Sequence, residues 1–185
     1  MSNPQRLHQM QIIYSQIADR MMLRINTLDR QEFRFWLTRR FVKRLWPGLA
    51  QTVAQQVRPE ASHSPQARAA VMEMMHESAI SQADFNTQFE AQAETTPMGL
   101  EPILISKARL LPMKPNLVVL ALYPETGPGI ELALDQHLLH ALCKLLQDSM
   151  SHTDWDLKLQ LTESITTANS AASIEAPINS QWKFH

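Results

Sequence analysis

The chain has 185 residues, 44% of them hydrophobic and 19% charged, with a net charge of −1, which are ordinary values for a globular protein and far from those of a disordered one. No run approaches the roughly 20 apolar residues of a membrane-spanning helix; the best, Leu117 to Tyr123, stops at Pro124. A lone cysteine, Cys143, excludes an intrachain disulfide and a thiolate metal cage, and four glycines leave no room for a glycine-rich phosphate cradle.

The amino terminus is polar and no apolar signal core follows it, so the expected setting is cytoplasmic, with no membrane contact. The charge is unevenly spread. Residues 1–58 carry ten cationic side chains against Asp19, Asp29 and Glu32, a net +7, and the remainder carries −8. Such a split either presents a basic surface to a polyanion or acidic partner, or lets one half dock on the other.

Met10 to Ile17 is a β-prone run. Met21 to Trp46 then opens a pattern that returns, without a gap, at Val118 to Cys143, a constant offset of 97 positions. Leu23, Ile25, Leu37 and Leu45 stand over Leu120, Leu122, Leu134 and Leu142. Each copy begins with an alternating strand and a turn, Leu28-Asp29-Arg30-Gln31 in the first and Pro124 to Gly129 in the second. A second alternating strand follows, with Phe33, Phe35 and Leu37 matching Ile130, Leu132 and Leu134.

Both strands end at a residue able to cap a helix, Thr38 or Asp135. In the first copy Phe41, Val42, Leu45 and Leu49 form the apolar stripe, and Pro47-Gly48 is expected to kink or split the helix. Ser64-Pro65 predicts the start of a connecting helix extending to about Ala93. Ile103 to Leu111 is the outer strand of the second unit, whose helix carries Leu138, Leu139, Leu142, Leu145, Leu146 and Met150 on one face.

On that helix His137, His140 and Cys143 are spaced three apart, and successive steps of three turn the side chains backward by roughly 60° each. The three do not converge on one metal ion, so the expectation is solvent-facing histidines beside a packed thiol, and no cofactor. Trp155, Leu157, Leu159 and Leu161 alternate with polar residues and predict a final strand.

The fold class that follows is α+β: two pseudo-repeated β-hairpin-plus-helix units with helices packed on one side of an antiparallel sheet, a helical connection and a C-terminal strand. The segments are 1–58, 59–99 and 100–162, with a flexible tail over 163–185.

No phosphate-loop, dinucleotide, zinc-helix or nucleophile-elbow motif is present. The first reading is therefore a non-catalytic binding protein acting through protein partners or as a homo-oligomer. If the matched apolar positions face a core, Arg24, Arg34 and Trp36 share the opposite sheet face with Met22 and Asn26, and Arg39, Arg40, Lys43 and Arg44 extend it onto the next helix.

Cations beside an aromatic ring suit single-stranded nucleic acid, the alternative reading. In arrangement alone, two strand-rich, helix-terminated units resemble Whirly-type single-stranded DNA-binding proteins, although no motif of that family is matched. A small-molecule enzyme with a pocket between the units is the third reading, with no residue assigned to it.

Overall fold

The computed structural model describes residues 4–56, 64–82, 89, 94–114 and 116–161. Three strands come first, β1 (Gln5–Ser15), β2 (Arg20–Thr27) and β3 (Glu32–Thr38), followed by helices α1 (Arg39–Gln56) and α2 (Pro65–Ser81). Then come β4 (Ile103–Lys114), β5 (Leu117–Pro124), β6 (Ile130–Asp135) and α3 (Gln136–Met150). The chain is thus α+β, with six strands in one mixed sheet and three helices among the described residues.

Local chemistry sets most of these boundaries. The Thr27 carbonyl accepts the Arg30 N–H at 3.0 Å, and Arg30 takes the left-handed φ of 55° that the tight β2–β3 turn requires. The Thr38 hydroxyl accepts the Phe41 N–H at 3.2 Å and the Asp135 carboxylate accepts the Leu138 N–H at 2.9 Å, which fixes where α1 and α3 begin. Ser64 caps α2 in the same way, ahead of Pro65 at the start of the helix.

Of the two expectations at Pro47, a kink or a split, the split does not occur: α1 continues through it. Phe41, Val42, Leu45 and Trp46 before the proline and Leu49, Ala50 and Val53 after it are all buried, so packing on both sides outweighs the one backbone bond that proline forfeits. Gly48 allows close approach of the sheet, since a Cβ there would lie 3.1 Å from Leu110 Cδ1.

The strands close into a barrel in chain order, β1 to β6. Four neighbouring pairs are antiparallel, but the expected all-antiparallel sheet is corrected at two seams. There β1 meets β6 and β3 meets β4 in parallel, each over only two register pairs: Gln5 with Leu132 and Arg6 with Ala133, then Phe35 with Ile103 and Trp36 with Leu104. Helix α1 packs against β3 and β4, and α3 against β6 and β1, so each helix lies along one seam. A single core joins Met21, Leu23, Ile25, Phe33, Phe35 and Leu37 to the buried faces of both helices and of β5 and β6.

The predicted final strand is also corrected. Trp155, Leu159 and Leu161 are buried and Asp156, Lys158 and Gln160 exposed, as alternation requires, yet the segment pairs with no strand among the described residues. The edges of the sheet face each other at the two seams, which α1 and α3 cover. The segment's carbonyls turn to helix side chains, with Gln147 Nε2 donating to Leu159 O at 2.7 Å and Trp46 Nε1 to Gln160 O at 3.4 Å. Trp155 fixes the start of the segment, its indole N–H donating to the Asp19 carboxylate and its ring standing edge-on to Tyr14 at 5.7 Å. The tail predicted over 163–185, and most of the extension of α2 towards Ala93, lie outside the described residues.

Two glycines of the β5–β6 turn give a test of this packing. A Cβ at Gly129 would fall 2.2 Å from Tyr123 Cδ1 and 2.6 Å from the Leu122 carbonyl oxygen, whereas Gly127, at φ +96°, has open space around it. Gly129→Ala is expected to lower stability in urea denaturation by about 3 kcal/mol, and Gly127→Ala by about 1 kcal/mol from its left-handed backbone alone. Equal midpoints for the two variants would contradict the close approach at Gly129.

Candidate functional site on the outer sheet face

The outward faces of β1 to β4 meet in register. Ile13 stands opposite Met22, Met22 opposite Trp36, and Trp36 opposite Leu104, which makes one apolar row across four strands. At strand spacing the row spans roughly 14 Å. Ile13 is 41% and Leu104 44% exposed, and Met22 and Trp36 between them are half-buried.

Beside this row lies a second one, Gln11, Arg24 and Arg34. Its two arginines converge on Glu32, which is only 3% exposed. Arg24 donates to Glu32 Oε1 through Nε at 2.9 Å and Nη2 at 2.8 Å, and Arg34 donates to the same oxygen through Nε at 2.8 Å. Arg34 Nη1 also donates to the Leu100 carbonyl at 3.0 Å, and the Arg24 guanidinium lies 4.4 Å from the centre of the Phe89 ring.

Burial pushes the Glu32 carboxyl up, but the bonds from Arg34 and Arg24 outweigh it and hold the group below the ordinary carboxylate range. The hydrogen bond from Glu32 correspondingly raises the Arg34 guanidinium.

Of the residues singled out in the sequence, Arg24, Arg34 and Trp36 do share this face, but the two arginines are committed to Glu32 rather than presented together to solvent. Arg39, Arg40, Lys43 and Arg44 are exposed on the first two turns of α1, just beyond the β3 end of the face, and Arg39 lies within electrostatic reach of Asp19. On the matching face of β5, Val119 and Ala121 are buried.

Several members of the face were missed. Leu104 joins it only through the parallel β3–β4 seam, and Ile13 only through the β1–β2 register. Glu32 was visible in the sequence two positions before Arg34, a spacing that sets both on one face of a strand.

A separate polar cluster lies between α2 and α3. His140 is fully buried, which corrects the solvent-facing expectation, whereas His137 is exposed as expected. Nδ1 of His140 lies 2.8 Å from Nδ1 of His76, a residue the sequence did not single out. Burial pushes the Cys143 thiol up to about 12, so it is a packing residue and not a nucleophile. Among the described residues no group of three or more His, Cys, Asp or Glu side chains is placed to hold a metal ion.

A half-open cavity of about 340 Å³ adjoins His76, lined also by Met72, Glu73, Gln147, Gln160 and Leu161. It sits against α2 and the segment after α3 rather than between the two strand-rich halves. No described helix is long and apolar enough to cross a membrane.

Compared with family models, curated proteins and solved structures, the chain matches none of them.

Glu32→Gln tests the charge cluster, because it leaves two partly buried guanidinium groups without their shared anion. We expect a loss of about 3 kcal/mol at neutral pH in urea denaturation. Because the Glu32 carboxyl is held below its ordinary 4.5, its contribution is present above that pH and fades as acid protonates it in the fold. The variant should lack that step, so the stability curves of the two proteins should converge at low pH. Curves that stay parallel below pH 4.5 would count against this cluster.

Proposed function

We propose that the protein is a non-catalytic interaction protein that associates with a second copy of itself through the outer face of β1–β4. The apolar row Ile13–Met22–Trp36–Leu104 carries this reading. Exposed isoleucine or leucine side chains are unremarkable singly, but a contiguous row across four strands, centred on a tryptophan, has the composition of an interface core.

The row also suits self-association. Its ends are aliphatic and its middle is Met22 and Trp36, so a two-fold axis running along the strands through its midpoint sets Met22 against Trp36 and Ile13 against Leu104 of the other copy. The neighbouring Arg24–Glu32–Arg34 cluster keeps a net charge of +1, but its two cations share a carboxylate within the same copy, which reduces the repulsion when two such faces meet.

This reading takes the two βββα halves as equivalent units whose helices line the two seams, and it takes the binding role to lie on the first half. There the outer face is left partly exposed, while the corresponding β5 face is buried.

The exposed α1 cations favour a second reading, single-stranded nucleic acid running past Trp36 along Arg39, Arg40, Lys43 and Arg44. It is weaker on this face because Arg24 and Arg34 are occupied by Glu32.

Sedimentation across a range of concentrations decides between them. The proposal expects a dimer that Trp36→Glu dissociates by a factor of at least ten, with little response to salt. A monomer at every concentration, or a dimer indifferent to Trp36→Glu, would overturn it. Oligonucleotide binding that falls steeply with salt and is lost in an Arg39→Glu/Lys43→Glu variant, in a protein that stays monomeric, would establish the second reading instead.

A further inference from the structure

Helix α2 is weakly held. Of the residues between Pro65 and Ser81 only Met72 and Ala79 are buried, with Val71 and Met75 packed partly against the core. The helix lacks a continuous apolar stripe, and its main neighbour is α3. Its polar tie to α3 is the Nδ1–Nδ1 contact between His76 and His140 at 2.8 Å, supported by a hydrogen bond between His76 and Gln147. Gln147 in turn donates to the Leu159 carbonyl, so the tie continues into the segment after α3.

Two imidazoles joined through Nδ1 need one proton between them. Nε2 of His140 is buried and has no partner among the described residues. Placing the His140 proton on Nδ1 makes that atom the donor and leaves only a bare lone pair at Nε2; the other tautomer would bury an unsatisfied N–H.

A second proton then has three places to go, each unfavourable. On His76 Nδ1 it sets two N–H groups against each other. On His140 Nε2 it creates a fully buried, unpaired imidazolium. Turning the His140 tautomer over, so that a charged His76 becomes the donor, leaves the orphan N–H at Nε2. Release by acid requires that undocking of α2 hydrate both rings, so that they take up protons freely.

We propose that the His76–His140 pair is an acid-released latch, and that α2 detaches from α3 as the pair takes up its second proton. The charged groups around the pair come from both helices. Glu73 and Glu77 on α2 favour a proton on His76, Lys144 on α3 opposes it, and His137 on α3 opposes one on His140. Burial dominates in both cases, pushing His140 down to about 4 from an ordinary 6.5 and His76 in the same direction.

The sign follows. A histidine held below its ordinary value in the docked state stabilises docking fully above about pH 6.5, and that stabilisation drains away as pH falls towards 4. For His140 alone the docking equilibrium weakens about 20-fold between pH 7 and pH 5.

Amide hydrogen exchange of the full chain, corrected for the intrinsic effect of pH, reads this directly. Protection over residues 65–81 is expected to fall about 20-fold from pH 7 to pH 5 while β2, β3 and β5 keep theirs. In His140→Leu, whose side chain suits the buried site, the same stretch should change by less than about threefold.

Protection of α2 that persists at pH 5, that disappears together with the sheet, or that falls equally in His140→Leu would overturn the latch. If that variant does not fold, the imidazole resonances of the wild-type chain serve in its place. Protonation of His140 coinciding with loss of α2 protection supports the proposal, and protonation near pH 6.5 with α2 still protected refutes it.

Discussion

Closure of the sheet is the constraint on which the rest of the structure depends. Two three-stranded antiparallel sheets, β1–β3 and β4–β6, would leave four open edges, and here these meet each other where β1 joins β6 and β3 joins β4. The joins are parallel and only two residue pairs long, so they hold the strands together without a full ladder. What completes them is side-chain packing: α1 lies along one seam and α3 along the other, and the two helices meet within one core. The long amphipathic segment after α3 is therefore denied a ladder and lies with its carbonyls on helix side chains.

The same closure makes the outer face. The β3–β4 seam brings Leu104 beside Trp36 and extends an apolar row begun by Ile13 and Met22. Next to that row, a buried carboxylate could be sustained only with cations on it, and Glu32 recruits both Arg24 and Arg34. On the proposed reading, two arginines already paired with a carboxylate beside an uncovered apolar row favour protein contact over phosphate contact. The exposed cations Arg39, Arg40, Lys43 and Arg44 belong to α1, which leaves the sheet at Thr38.

The polar cluster between α2 and α3 follows a different logic. His140 belongs to the interior face of α3 by helical phase, next to Leu139 and Cys143, and a buried imidazole must find a partner or lose stability. Its partner comes from α2, 64 residues away in sequence, and the pairing gives a poorly amphipathic helix a specific place to rest. Because that contact is polar and titratable, its strength depends on proton concentration in a way that apolar packing does not.

The amino-acid sequence by itself determined the elements governed by near neighbours. The alternation of Leu23, Ile25, Phe33, Phe35 and Leu37, the caps at Thr38, Ser64 and Asp135, and the stripes of α1 and α3 all act within a few residues, where period and capping chemistry suffice. The residues of the outer face were legible in part for the same reason: Arg24, Arg34 and Trp36 had to oppose the core face of their strands.

Tertiary structure decided what each of them meets. The parallel seams, the place of Leu104 in the row, the capture of two arginines by Glu32 and the pairing of His76 with His140 join positions that share no local pattern. Alternation in Trp155–Leu161 specified which side chains are buried but not whether a strand edge was free to receive their backbone. That depended on a barrel closed by residues elsewhere in the chain, because hydrogen-bond partners are allotted by the whole fold and not by the segment that needs them.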